Sequence, residues 1–224
     1  MTLYFDCSYG AAGDMLVGAL IDLGADFKII KEKLKNIEGV SGISIKKIEK
    51  SGISATKFNV KFDSDYEEYL VLIEKIEKLN LNSNIEVMSK KILKKLAAAE
   101  SAAHKVKIED VHLHEAADCI IDAVAFSVAL NNLKKKFNFQ SIYCSTVSVG
   151  VLAPATQNII HSNKIPIKKI SDAEITTPTG AAILSAAVDK FINDSDKNLK
   201  KYKIVGYGAG DMDFDYPNVL KVFV

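Results

Sequence analysis

The sequence predicts a single-domain α/β protein over residues 1–224, with a mixed sheet flanked by helices. Short runs of β-branched and aromatic residues alternate with segments of helical periodicity, which favours α/β architecture over a helical bundle. Neither a repeat nor a low-complexity linker divides the chain. Its 48% hydrophobic and 25% charged residues are typical of a globular domain.

The first half of the chain predicts one strand, two short helices, a hairpin and two longer helices. The helical spacing that starts at Met15 ends at Gly24, a natural stop residue. The hairpin is predicted to turn near Ser51. In order, the predicted elements are a strand (3–7), helices (15–23 and 27–36), a hairpin (43–62) and helices (66–79 and 85–104).

The second half predicts a long apolar helix and further alternation of strands and helices. A glycine-rich segment, GYGAGDMDFDYPN (206–218), separates the last two predicted strands. In order, the predicted elements are a helix (116–133), a strand (142–149), a helical turn (154–160), a helix (179–191) and strands (202–205 and 219–224).

Composition excludes several classes of protein. The formal net charge of +1 provides no overall field for nucleic acid or membrane. The start, MTLYFDCSYG, is not a signal peptide, and no run approaches the length of a membrane span. Three distant cysteines argue against a disulfide framework, so a cytoplasmic location is expected. Cys119 and Cys144 are predicted to be buried, whereas the role of Cys7 stays open.

The stretch LYFDCSYGAAGDM is the first candidate site, because a strand leads through a glycine-containing loop into a helix start. Helix starts present free N–H groups and the positive end of the helix dipole, which suit phosphate or carboxylate ligands. Asp6 and Asp14 flank the loop and are candidates for binding a cation or a ligand hydroxyl. The alternative is that Gly10 and Gly13 only shape a tight turn.

The stretch TTPTGAA (176–182) is a second helix start. Pro178 lies just before the predicted helix, Thr179 is the predicted N-cap, and Gly180 permits close backbone approach. Capping accounts for Thr179 but not for the Thr176–Thr177 pair or for Glu174 just upstream. Anion or substrate binding is therefore the competing interpretation.

The stretch VHLHEAADCIID (111–122) is the third candidate. An extended segment places His112 and His114 on one side of the chain, and helical spacing places Asp118 and Asp122 on one face. Partly buried carboxylates need partners, and imidazoles or a divalent cation would provide them. The alternative, a solvated helix start, explains Asp118 through the helix dipole but does not explain Asp122.

These motifs together resemble the LarC nickel-insertion family over nearly the whole chain. The matching segments, in order, are DCSYGAAGDM, AAAESAAHKV, VHLHEAADCIIDAVA, LAPAT, EITTPTGAAIL and GYGAGDMDFDYPNVLKV. The resemblance implies an enzyme of the lyase class that inserts nickel into pyridinium-3,5-bisthiocarboxylic acid mononucleotide. The implied reaction is a CTP-dependent cyclometallation that forms one nickel–carbon and two nickel–sulfur bonds. Its product serves lactate racemase and related enzymes.

The chain also departs from the family pattern. The family has a C-terminal domain after the NVLKV segment, and the resemblance assigns CTP, with Mg or Mn, chiefly to that domain. Either the complete CTP-dependent reaction is then beyond this polypeptide, or a separate chain supplies the missing domain; a homo-oligomer is left open. The segments near residues 62, 116 and 150 are shorter than in the family, through deletion or through missing mobile loops.

The leading hypothesis is nickel insertion into the small-molecule precursor, without nucleic acid or membrane as partner. Three kinds of residue are predicted: catalytic (Asp6, Asp14, Glu115), metal-binding (His112, His114, Asp118, Asp122) and substrate-binding (Gly10, Gly13, Glu174, Thr177, Thr179, Gly180). One alternative is a non-catalytic nickel-binding module or metallochaperone. Another is a metal-dependent hydrolase that uses the Asp/His cluster.

Overall fold

A mixed seven-stranded sheet forms the centre of the protein. The computed structural model describes residues 1–62, 66–114, 116–193 and 202–224, without the side chains of Tyr66 and His114. The strands in these ranges are β1 (Thr2–Asp6), β2 (Val40–Lys50), β3 (Ile53–Phe62), β4 (Tyr66–Glu68), β5 (His112–His114), β6 (Ser141–Cys144), β7 (Val147–Val149), β8 (Ile167–Lys169), β9 (Lys190–Phe191), β10 (Val205–Ala209) and β11 (Val219–Phe223).

The strand order of the sheet is β2-β3-β10-β11-β1-β6-β9. β1 is parallel to β6 and antiparallel to β11, whereas β10 is antiparallel to β11 and parallel to β3. The short strands β4 and β5 form a separate antiparallel pair, and β7 and β8 form a parallel pair. The predicted α/β class with a mixed sheet is confirmed.

Helices pack against the sheet and against each other. The α-helices of the described ranges are α1 (Gly13–Asp22), α2 (Phe27–Leu34), α3 (Tyr69–Lys78), α4 (Ser83–His104), α5 (Ala116–Phe137), α6 (Pro154–Ser162) and α7 (Pro178–Ala187). α1 lies against β3, β10 and β11, and α5 packs on α1 and α4. Leu3 and Phe5 of β1 enter this helical core, while Tyr4 contacts the rings of Tyr202 and Phe223.

Several predicted boundaries are wrong, and sheet pairing explains the largest differences. The helix predicted to reach residue 191 ends at Ala187, because Asp189 bonds to the backbone of Ile142 and leads into β9 beside β6. The strand predicted at 202–205 is observed as β10, which begins only at Val205. The region 142–149 forms two strands, β6 and β7, and residues 66–68 are extended rather than helical.

Glycines let α1 approach the sheet at backbone distance. A Cβ atom at Gly208 of β10 would overlap the carbonyl oxygen of Met15, and one at Gly206 would overlap that of Ala19. On the helix side, a Cβ atom at Gly18 would overlap the carbonyl oxygen of Thr56. The glycine-rich segment is therefore not only a loop. It includes a strand whose glycines leave room for α1.

Partly buried polar contacts at the C-terminal end of α1 add to this close packing. The Asp22 carboxylate accepts hydrogen bonds from the Thr56 hydroxyl at 2.6 Å and from the Tyr207 backbone N–H at 2.9 Å. Asp22 also pairs with Lys47 of β2. One carboxylate thus connects α1 to three strands of the sheet, β2, β3 and β10.

α5 is the central helix of the core. Among the described residues it is the one helix that is long and apolar enough to cross a membrane by length and composition, which the sequence analysis did not predict. In this structure 83% of its apolar window is buried inside the protein. The predicted burial of Cys119 and Cys144 is confirmed, and Cys7 is buried beside Cys144, with their sulfur atoms 3.6 Å apart.

The close approach of α1 to β10 makes a stability prediction. Gly208→Ala should lower the free energy of unfolding by about 1–3 kcal/mol, because the added methyl group has no space against the α1 backbone. Gly42→Ala is the matched control in β2, where the nearest atoms lie 3.6 Å from the added Cβ. Urea unfolding of both variants measures the difference, and equal losses would contradict this account.

Candidate metal and ligand pocket

A pocket of about 580 Å³ opens where the N-terminal turns of α1 and α7 meet the first turns of α5. Its other walls come from β3 and from the segment between β10 and β11. Volumes of this size are typical of small-molecule sites. We call it the acidic pocket, after its carboxylates: Asp14, Glu100, Asp118, Asp122, Glu174 and Asp211.

Backbone and threonine hydrogen bonds join the two helix starts. The N–H of Ala11 donates to the carbonyl oxygen of Ile175 at 2.9 Å, and the N–H of Thr177 donates to that of Ala11 at 3.0 Å. The Thr176 hydroxyl accepts from the N–H of Ala11 and donates to the carbonyl oxygen of Ser148. The two glycine- and threonine-containing motifs therefore form one structural unit at the pocket.

The N-cap of α7 is Thr177, so the prediction of Thr179 is wrong. The Thr177 hydroxyl accepts a hydrogen bond from the N–H of Gly180 at 3.2 Å, and Pro178 occupies the first helical position. This assignment leaves Thr179 to line the pocket, where its hydroxyl lies 3.8 Å from the sulfur of Cys119. The close approach predicted at Gly180 is confirmed, because a Cβ atom there would overlap the carbonyl oxygen of Ala11.

Asp122 is a buried carboxylate on the wall of the acidic pocket. Its residue is only 6% exposed, and its side chain packs against Gly13, where a Cβ atom would overlap the carboxylate. Burial raises the pKa of Asp122 well above its usual range, and repulsion from Asp118 and Asp14 raises it further. Within the described residues no hydrogen bond reaches this carboxylate. Asp118, one helical turn earlier, is exposed and lines the same pocket.

Lys57 of β3 is the one lysine among the described residues that line the pocket, and it pairs with two carboxylates. It contacts Asp14 and lies 2.8 Å from Asp211, with only 8% of its side chain exposed. Burial raises the pKa of Asp14, an increase that the Lys57 ammonium partly offsets. Burial acts to lower the pKa of Lys57, but its two carboxylate partners outweigh burial and raise it. Lys57 therefore stays charged at neutral pH.

The charge balance of the pocket favours a cationic ligand. Within the described part of the chain, the lining has one ammonium and six carboxylates, and the positive ends of the α1 and α7 dipoles offset only part of the remaining negative charge. Oxygen ligands of this kind suit divalent cations. Within the described side chains, however, no three His, Cys, Asp or Glu residues already lie close enough together to hold a metal ion.

The predicted site residues differ in where they lie. Asp14, Gly13, Asp118, Asp122, Glu174, Thr177 and Thr179 line the acidic pocket. His112 does not: its ring lies 3.5 Å from the Glu68 carboxylate and contacts the carbonyl oxygen of Asp110. The side chain of His114 and the whole of Glu115 lie outside the described residues, so the predicted roles of these residues stay predictions.

Asp6, Gly10 and Gly180 are not among the lining residues of the acidic pocket. Asp6 is buried at the end of β1 and accepts hydrogen bonds from the backbone and hydroxyl of Ser8. Gly10 adopts a φ of 95° and donates to the carbonyl oxygen of Cys7. These contacts describe how the loop is shaped, while the predicted catalytic role of Asp6 stays a prediction.

Sequence reasoning missed Lys57, Asp211 and Glu100. Asp211 belongs to the GAGDMDF motif that the family resemblance already contained, so a signal for it was present. Lys57 had no such signal, because a lysine within an alternating hairpin usually faces solvent. Its burial depends on the position of α1 over β3.

The comparisons with known proteins agree on one family. The model of the nickel insertion protein family matches residues 3–224. A Staphylococcus epidermidis protein named pyridinium-3,5-bisthiocarboxylic acid mononucleotide nickel insertion protein is 35% identical over 98% of this chain and 58% of its own length. A protein of the same name from Geobacillus kaustophilus is 34% identical over 99% of this chain and 59% of its own.

The chain spans about 60% of the length of the curated relatives that it matches. A relative from Dictyoglomus thermophilum, 37% identical, shows the same proportion: 99% of this chain and 60% of its own length are aligned. That alignment extends over 243 residues, more than the 224 of this chain, so the aligned part of the relative contains segments without a counterpart here. No solved structure matches the chain.

The buried charge of Asp122 predicts a pH-dependent effect on stability. The carboxyl pKa is raised on folding, so ionisation destabilises the native state as pH rises from the unfolded-state pKa of about 3.9 towards the higher folded-state value. Asp122→Asn cannot ionise. The free energy of unfolding of the variant should therefore increase relative to that of the wild type as pH rises above about 4. The relative increase should be on the order of 1 kcal/mol at pH 7.5.

Urea unfolding between pH 4.5 and about 7.5 measures this difference, within the window in which an unfolded aspartate is ionised. Asp110→Asn removes an exposed carboxylate and is the control, which should follow the wild type across the series. A constant offset due to the buried amide would not affect the slope against pH. Parallel curves for Asp122→Asn and the wild type would show that Asp122 ionises without penalty.

Proposed function

Because the chain belongs to the nickel insertion protein family, we propose that its acidic pocket receives a nickel ion together with the organic precursor into which nickel is inserted. The observation that carries the proposal is the buried Asp122 carboxylate, which lines the pocket without a hydrogen-bonding partner among the described residues. A divalent cation would relieve its repulsion with Asp118 and Asp14.

Nickel is the substrate of this reaction, and its proposed ligands come from two neighbouring segments. Asp118 and Asp122 on α5 supply carboxylate oxygens, and His112 and His114 on β5 supply imidazole nitrogens once metal is present. Imidazole and carboxylate both suit a borderline divalent ion such as Ni²⁺. Because no three described ligand side chains are already close enough to hold a metal, nickel binding requires side-chain movement or ligands from the precursor.

The proposed organic substrate is pyridinium-3,5-bisthiocarboxylic acid mononucleotide, the compound in the names of two relatives. The two thiocarboxylates flank one carbon of the pyridinium ring, so a bound nickel ion would contact both sulfurs and that carbon. Formation of the nickel–carbon bond releases the proton of that carbon, and a base must accept it. The N–H groups at the starts of α1 and α7 would orient the anionic groups of the precursor.

Asp14 is the described carboxylate that best suits the role of base. It lines the pocket, is 25% exposed at its side chain and is oriented by Lys57. Its raised pKa brings proton affinity closer to neutral pH, as general-base catalysis requires. Glu115 remains the second proposed catalytic carboxylate, and Asp6 would act through the shape of the Ser8–Gly13 loop.

The remaining parts of the proposal concern the complete reaction. CTP, with Mg or Mn, would bind to the part of the relatives that this chain does not match. The nickel-containing product would serve lactate racemase-type enzymes, and the reaction would take place in the cytoplasm. The competing interpretation is a nickel-binding module or metallochaperone that delivers nickel to a partner without catalysis.

Nickel binding tests the proposal directly. Titration calorimetry with NiCl₂ should give a dissociation constant that rises about tenfold or more in Asp122→Asn, because a buried anionic ligand is lost. The double variant His112→Ala/His114→Ala should weaken binding as well. Asp110→Asn removes a nearby exposed carboxylate and should bind nickel like the wild type.

Unchanged affinity in Asp122→Asn would overturn the pocket as the nickel site, and unchanged affinity in the double variant would exclude the two imidazoles. A turnover assay with precursor, nickel and CTP then separates the two functions. Product formation supports cyclometallation, whereas tight nickel binding without product supports a delivery module.

A further inference from the structure

A second pocket, of about 350 Å³, lies beside the Ser8–Gly13 loop and differs in character from the acidic pocket. Among the described residues, its lining contains five hydroxyl-bearing side chains, one lysine and no carboxylate. We call it the hydroxyl pocket, and the lining residues that matter for its chemistry are Ser8, Tyr9, Thr146, Ser148, Lys168 and Tyr216.

Ser148 and Lys168 form the polar centre of this pocket. They are directly paired residues of the parallel strands β7 and β8, so their side chains project from the same face of this small sheet. Ser148 is only 4% exposed, and within the described residues its hydroxyl makes no hydrogen bond. Among the described residues, no carboxylate pairs with the Lys168 ammonium.

Two tyrosines form the aromatic wall. The rings of Tyr9 and Tyr216 stack with centroids 5.6 Å apart, and the Lys221 ammonium lies 5.9 Å from the Tyr9 ring. The Tyr216 hydroxyl is buried and has no hydrogen-bonding partner among the described residues. Buried hydroxyls without partners are unfavourable, so a ligand with acceptor oxygens would stabilise this arrangement.

We propose that the hydroxyl pocket binds the phosphate group of a phosphate ester. Hydroxyls and a lysine donate hydrogen bonds to phosphate oxygens, and none of the described lining residues is a carboxylate that would repel them. Ser8 contributes less than the others, because its hydroxyl already donates to Asp6. The donors available to phosphate are the hydroxyls of Thr146, Ser148 and Tyr216 and the ammonium of Lys168.

The phosphate site itself does not depend on the proposed nickel chemistry, whereas the identity of the ester rests on that proposed function. Two phosphate sources share this chemistry: the mononucleotide precursor and a nucleoside triphosphate. The Ser8–Gly13 loop and the segment between β10 and β11 contribute residues to both pockets. A ligand with its phosphate in the hydroxyl pocket would therefore contact two segments that also line the acidic pocket.

Phosphate binding is tested in the absence of nickel, in buffer with EDTA, so that failure of the nickel proposal does not affect the result. Inorganic phosphate, nicotinic acid mononucleotide and CTP are titrated separately into the wild-type chain by calorimetry. Lys168→Ala should raise the dissociation constant about tenfold, and Ser148→Ala should raise it several-fold.

Lys169→Ala is the matched control, because it removes the same charge from the neighbouring position of β8. Lys169 projects from the opposite face of the strand and pairs with Asp172 at 2.8 Å. Its dissociation constants should remain within about twofold of the wild type, as for a distant surface charge. Equal weakening by Lys168→Ala and Lys169→Ala, or no saturable binding of any of the three probes, would overturn the phosphate site.

The three probes also separate the two sources. Tighter binding of the mononucleotide than of inorganic phosphate, weakened by Lys168→Ala, supports the precursor as the ligand. Tighter binding of CTP with the same dependence on Lys168 supports a nucleoside triphosphate.

Discussion

The backbone-to-backbone packing of α1 on the sheet is the constraint on which the candidate sites depend. Gly18 on the helix, with Gly206 and Gly208 on β10, leaves no side chain between α1 and its neighbouring strands. This packing places the first turn of α1 beside β3, where Asp14 meets Lys57. A methyl group added at one of these glycines would push α1 away from the sheet, because a close-packed interior has no space for it. Asp14 would then move away from Lys57.

The acidic pocket combines charges that would not be stable together without compensation. Burial and repulsion from neighbouring carboxylates raise the pKa values of Asp122 and Asp14, while Lys57, which contacts Asp14 and Asp211, offsets only part of this increase. The starts of α1 and α7 add positive dipole ends, which reduce the repulsion further. A site of this kind binds a cation more tightly than a neutral surface does, because the cation relieves strain that already exists in the free protein.

The two pockets differ in the charge of the residues that line them. Carboxylates lie where α1, α5 and α7 begin, whereas hydroxyls and a lysine without a carboxylate partner among the described residues lie around β7 and β8. The loop before α1 and the segment before β11 connect the two environments. Such an arrangement suits a ligand that has a metal-binding end and a phosphate end, which is the chemistry named in the relatives' descriptions.

The sequence by itself determined the α/β class, most of the helices, and the shared face of Asp118 and Asp122, because periodicity and helix signals act locally. It also indicated the family, through motifs spread over the chain. Only the tertiary structure decided that Asp122 is buried while Asp118 is exposed, that Lys57 belongs to the pocket, and that the glycine-rich segment contains β10. These features arise from contacts between residues far apart in the chain, and local patterns do not encode which distant surfaces pack together.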